Sequence, residues 1–138
     1  MIKAYIDAAT KGDPGLSGGG ILLVGTELHQ QHALPLPILT NHQAEFTIFL
    51  ELLQLLLEKQ WQDQTIMVYS DSKVLVQTVD KNYTGNPAFQ PIFEQIQQQL
   101  PKFSLLILQW IPENQNKGAD RLARQGLQKA VKLQNRRQ

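Results

Sequence analysis

Residues 2–24, IKAYIDAATKGDPGLSGGGILLV, decide the architecture. Ile2, Ala4, Ile6 and Ala8 alternate with Lys3, Tyr5, Asp7 and Ala9, the period-two pattern of a strand with two distinct faces. Asp7 therefore points away from Ile6, and a carboxylate in an otherwise apolar strand is costly unless it has a task. The run KGDPGLSGGG carries a Pro-Gly turn signal and three consecutive glycines, so the chain bends there and presents bare backbone. Gly18 to Gly20 then lead into a second strand, Ile21 to Val24. A turn at Gly25 and Thr26 precedes an alternating stretch, Glu27 to Leu34, which reads as the third strand of an antiparallel meander and is ended by Pro35 and Pro37.

Outward from this meander the pattern changes period. Thr40 and Gln43 form a capping box, and Phe46, Phe49, Leu50, Leu53, Leu56 and Leu57 follow at helical spacing. Thr65 to Tyr69 is an apolar run suited to a central strand covered on both faces, with Asp71 just past its end. Helices are expected from Ser72 to Val79 and from Phe89 to Leu100, the second lying between Pro87 and Pro101. Ser104 to Ile111 reads as a fifth strand stopped by Pro112. Ala119, Leu122, Ala123, Gly126, Leu127 and Ala130 mark a last amphipathic helix with Asp120 in its first turn. This order predicts an α/β fold: a five-stranded mixed sheet, three antiparallel strands then two parallel, with helices packed on both faces. One domain is expected over residues 1–131, with a basic tail over 132–138.

Composition narrows the chemistry. The 138 residues suffice for one core without staples. There is no cysteine, which excludes disulfides and thiolate metal sites and leaves oxygen or imidazole as ligands. The start lacks the apolar block of a secretory signal, and Ile48 to Leu57 is too short to span a membrane, so a cytoplasmic location with no membrane partner is expected. Net charge is +1, unevenly spread: residues 1–100 hold 5 basic and 10 acidic side chains, the last 38 hold 8 and 2. That basic end reads either as a solvated helix terminus or as a phosphate-attracting arm.

Four carboxylates, Asp7, Glu45, Asp71 and Asp120, each stand where a strand or helix meets a loop. Taken singly, Asp71 could cap the next helix, and Glu45 and Asp120 could complement helix dipoles. Taken jointly they suit a shared cleft, whose repulsion two divalent ions would neutralise. Ions about 4 Å apart suit phosphodiester hydrolysis, and scattered monodentate carboxylates suit Mg2+ better than a calcium loop would. His29, His32 and His42 lack the spacing of a zinc site on a helix.

The strings around these residues are D-x-x-x-x-G-x-P-G at Asp7 to Gly15, TN-x-x-AE at Thr40 to Glu45, YSDS at Tyr69 to Ser72 and N-K-x-AD-x-LA at Asn116 to Ala123. On them the chain resembles type 1 ribonuclease H, in particular its compact bacterial and archaeal-like variants, from Tyr5 to Gly126. The resemblance implies the ribonuclease H-like fold and endonucleolytic cleavage of the RNA strand of an RNA/DNA hybrid, leaving 5′-phosphate and 3′-hydroxyl ends. It implies Asp7, Glu45, Asp71 and Asp120 as catalytic metal ligands for two Mg2+ ions, with Mn2+ as a substitute. It implies substrate contacts at Gly12, Asp13, Gly15, Thr40, Asn41, His42 and Ser72: a DNA phosphate at Thr40, the minor groove at Asn41 and His42, and RNA at the backbone of Gly12 to Gly15. Such an enzyme would act as a monomer without a protein partner.

Departures from that pattern are specific. Asp13 stands where many relatives carry Asn, and Ala8 where Gly is common. The segment Pro112 to Gly118 holds no His, which leaves Glu113 or Lys117 to handle protons, and Asn82 to Gln99 holds no Lys or Arg to form a basic handle. Trp61 and Trp110 read as packing residues, and Tyr83 as the aromatic nearer to DNA. The competing readings are a catalytically weak hybrid- or nucleic-acid-binding module on the same fold and, more remotely, a strand-transfer enzyme.

Overall fold

Three long antiparallel strands open the chain in the computed structural model, which describes residues 1–137: β1 (Ile2–Gly12), β2 (Gly15–Gly25) and β3 (Leu28–Leu39). Then come α1 (Asn41–Glu58), β4 (Thr65–Ser70), α2 (Lys73–Lys81), α3 (Gln90–Gln99), β5 (Leu105–Trp110) and α4 (Lys117–Arg137), with single 3-10 turns before and after β5. The sheet order is β3-β2-β1-β4-β5; β1 pairs antiparallel with β2 and parallel with β4, which pairs parallel with β5. The expected mixed sheet is present, and its helices lie on both faces.

What separates the two faces is legible at the glycines. A side chain at Gly19 would run into Ile48 of α1, while one at Gly18 would lie 2.0 Å from the Leu127 backbone nitrogen and one at Gly20 2.4 Å from the Ala119 carbonyl, both in α4. Consecutive strand residues face opposite sides, so α1 covers one face and α4 the other. The three glycines are therefore inside β2 instead of ahead of it, because bare backbone lets α4 lie directly on the sheet at Gly18 and Gly20 and lets Ile48 of α1 close over Gly19. Gly126 answers from the helix, where an added Cβ would stand 2.4 Å from the Leu34 carbonyl.

The third strand also runs further than expected, to Leu39, with Pro35 and Pro37 inside it. β3 is an edge strand, where residues two apart can aim their missing N–H groups at the open side without breaking the ladder. The main core lies under α1, among Ile6, Ile21, Leu23, Phe46, Phe49, Leu53, Val68 and Ile96. Trp61 packs against it as expected. Trp110 does not: it is 38% exposed at the end of β5, on the rim of the sheet. The basic residues after 131 continue as the last turns of α4 up to Arg137; Gln138 lies outside the described residues. Among the described residues no helix is long and apolar enough to cross a membrane.

Candidate active site

β1 and β4 run parallel, and Ile6 opposite Ser70 is the last registered pair, so Asp7 and Asp71 follow side by side where the strands part. A crevice at the carboxyl ends of parallel strands is a usual place for a ligand in α/β sheets. Glu45 enters from the first turns of α1, whose capping box at Thr40 and Gln43 is formed as expected. Asp120 enters from the first turn of α4. All four carboxylates line one pocket of about 480 Å³, together with Ala8, Asn41, Glu113, Asn114, Lys117 and Arg124.

Asp71 is not the cap of α2. Ser72 does that work, its buried Oγ accepting the Leu75 N–H at 3.1 Å, which leaves the Asp71 carboxylate free to face the pocket. Two groups hold Asp71 in place. The Trp110 indole N–H donates to its backbone carbonyl at 3.1 Å. Asn116, fully buried, donates through Nδ2 to Asp71 Oδ2 at 3.2 Å and to the Ile6 carbonyl at 2.9 Å. Asn116 thus ties the β1 and β4 ends together.

Of the remaining expected contact residues, Asn41 lines this pocket, and His42 and Ser72 line a second one that also holds Glu45 and Asp71. His42 Nδ1 lies 2.9 Å from Glu45 Oε1, with the ring half exposed. Asn41 lines the pocket, and its backbone N–H donates to Asp13 Oδ1 at 3.0 Å, joining the hairpin at Gly12 and Gly15 to the start of α1. Gly12 takes a positive φ of 100° there, which favours glycine. The Asp13 carboxylate is thereby drawn toward a helix N-terminus, which favours a negative charge. Tyr83 is exposed, in the loop between α2 and α3.

Burial dominates the electrostatics. It pushes the Asp7 carboxyl up from 3.8 to about 8, helped by the negative charges of Asp71, Asp120 and Glu45 and opposed by a hydrogen bond from the Ala8 backbone. Glu45 and Asp71 are raised for the same first reason, opposed by the hydrogen bonds from His42 and Asn116 respectively. Asp120 forms an ion pair with Arg124 at 3.1 Å, one helical turn on. Among the described residues no three acidic or imidazole side chains converge tightly enough to hold one ion between them. The carboxylates share a cavity while standing apart around its wall.

A consequence for stability follows with a definite sign. Between about pH 4 and about pH 8 folded Asp7 keeps a proton that the unfolded chain has lost. Stability in chelator should therefore fall as pH rises through that window, because the native state binds more protons than the denatured one. Asp7→Asn should flatten the decline and leave the protein more stable than wild type at the alkaline end, as read by urea midpoints at a series of pH values. An unchanged slope in Asp7→Asn would remove Asp7 as its source.

The donor set is all oxygen with one rim imidazole, which fits hard divalent cations such as Mg2+ or Mn2+ and not softer metals. Asn116 and Arg124 have no role in the sequence reading, and Trp110 is read there for packing alone, not as a donor to Asp71. Asn116 stood inside a quoted motif, yet nothing in its string shows that it spans from Ile6 to Asp71.

The family model described as reverse transcriptase-like matches residues 5–126. The chain belongs to that family. The "Putative hydrolase EbsB" of Enterococcus faecalis is similar at 48% identity over 129 residues, 94% of this chain and 96% of that protein. Among solved structures, ribonuclease H1 from the halophilic archaeon Halobacterium salinarum matches with a TM-score of 0.83 at 23% identity, over 94% of this chain and 98% of that one. LC11 ribonuclease H1, crystallised with an RNA/DNA hybrid, matches with a TM-score of 0.82 at 23% identity, over 95% and 99%. The N-terminal ribonuclease H domain of a Mycobacterium tuberculosis protein matches at 0.81 and 22%, over 96% and 98%. The fold of this family member is that of type 1 ribonuclease H.

Proposed function

We propose that this protein hydrolyses the RNA strand of RNA/DNA hybrids with two divalent ions, Mg2+ or Mn2+, held by Asp7, Glu45, Asp71 and Asp120. The observation that carries the reading is the meeting of these carboxylates, from four separate elements, in one polar pocket at the carboxyl ends of β1 and β4. Divalent ions bound there would supply hydroxide at neutral pH and offset the charge on the departing oxygen. Water adds across the bond between phosphorus and the 3′-oxygen, so the products carry a 5′-phosphate and a 3′-hydroxyl.

The chain's own residues do the positioning. Lys117 and Arg124 bring positive charge to the pocket wall, where a phosphate's non-bridging oxygens would lie. Asn41 and the glycine-containing hairpin present short polar groups and backbone, which suits the shallow, 2′-hydroxyl-lined minor groove of a hybrid. In this reading Thr40 meets a DNA phosphate and His42 reaches the groove beside Glu45. The pocket is complete within one chain, which supports action as a monomer.

Asn116→Ala should lower hybrid cleavage by roughly 10- to 100-fold, the usual cost of losing a group that orients a ligand. It should also lower stability by about 1–3 kcal/mol, since the Ile6 carbonyl is left without its partner.

The decisive assay follows cleavage of a labelled hybrid in Mg2+ and in Mn2+, with binding measured in parallel. The spacing of the carboxylates around the wall favours one other reading, a hybrid-binding module with little activity. Binding without cleavage in either ion would establish that alternative and end the nuclease proposal.

A further inference from the structure

Another groove lies further along β1 and α4. It measures about 340 Å³ and is lined by Lys11, Leu127, Gln128, Val131 and Lys132. Strand and helix run side by side in one direction, since Asp7 shares a cavity with Asp120 and Arg124 while Lys11 shares the next with Leu127 through Lys132. Gln128 lies one helical turn beyond Arg124, and Lys11 lies on the same strand face as Asp7, ~13 Å along at ~3.3 Å per residue. The two cavities thus follow one another along β1 and α4.

The charges sort between them. No acidic side chain lines the groove, and two lysines do. The nearest carboxylate in sequence, Asp13, is bonded to the Asn41 backbone at α1. Lys129 is turned the other way, donating to the Ala33 carbonyl in β3 at 2.8 Å. Because residues 82–99 hold no Lys or Arg, positive charge close to the acidic pocket comes from Lys73 on the Trp110 side and from α4 and Lys11 on the other. Leu127 and Val131 give the groove an apolar floor suited to sugar edges.

We infer that this groove holds the sugar-phosphate backbone of the strand cut in the acidic pocket, with Lys11 and Lys132 each meeting a phosphate away from the cleaved bond. The inference rests on the proposed nucleic-acid function and names the part of the surface that carries its salt dependence. Every phosphate contact releases counterions, so each lysine contributes to the fall of affinity with salt.

The test measures binding of a labelled RNA/DNA hybrid to the full chain in chelator, by fluorescence anisotropy over a salt series. Lys11→Met and Lys132→Met keep the apolar stem and remove the charge. Each should make the slope of log K against log salt shallower by about 0.9, and the double variant by about 1.8. Lys102→Met, an equal charge change by the β5 side of the sheet, should leave the slope alone. A wild-type slope in the double variant would overturn the inference, and so would an equal loss in Lys102→Met, which would mean attraction by net charge alone. If the wild type binds hybrid with the lysine-dependent slope but never cleaves it, the groove stands and the nuclease reading falls. If it binds no nucleic acid, both fall.

Discussion

Asp71→Asn is expected to abolish hybrid cleavage, by more than about 100-fold, because loss of a group that merely orients a ligand already costs 10- to 100-fold. The substitution keeps the size of the side chain and removes its charge. It removes one raised carboxylate from a repulsive pocket, so the folded protein should lose no stability in chelator at neutral pH. Binding of hybrid should persist, since Ser72 still caps α2 and the indole of Trp110 still holds the backbone carbonyl at position 71. The measurement is the initial rate on labelled hybrid in Mg2+ and Mn2+, beside an affinity in chelator. Retention of more than a tenth of wild-type cleavage would take Asp71 out of the catalytic set.

Gly18→Val should be the most damaging change to the fold. A Cβ there would lie 2.0 Å from the Leu127 nitrogen and 2.6 Å from the Ala123 carbonyl, both backbone atoms of α4 that cannot swing aside. Overpacking usually costs about 1–3 kcal/mol when side chains can adjust. Here the helix itself must lift from the sheet, so a loss of about 3 kcal/mol or more is expected, a large share of the 5–15 kcal/mol typical of a domain. Urea midpoints would record it, with Gly85→Ala as the control, because the nearest atom there is the movable hydroxyl of Tyr83 at 3.1 Å. A Gly18→Val midpoint equal to that control would show that α4 is free to shift.

The same glycines mark where reading the chain in one dimension ran out. Asp7 was legible because a single acid interrupts a strict alternation, and α1 because its capping box and apolar spacing agree. Gly18 to Gly20 were expected ahead of β2; only the two helices that close on them from opposite faces, α4 over Gly18 and Gly20 and α1 over Gly19, explain their place inside it. Pro35 and Pro37 were read as a stop because a proline ends a central strand, and nothing local says that β3 is an edge. Trp110 was expected to pack in the core from its place at a strand end, but β5 is the edge of the sheet and leaves the indole partly exposed. Asn116 contacts partners 110 and 45 residues away, a separation that no local pattern encodes.

The bond from Asn41 to the Asp13 carboxylate joins two parts of the chain at the mouth of the acidic pocket. Among the described residues it is the one side-chain hydrogen bond from the hairpin tip to α1, and it lies at the surface, where such a bond is worth about 1 kcal/mol. One exposed contact thus fixes how far the hairpin tip stands from the start of α1, and with it the width of that side of the pocket mouth.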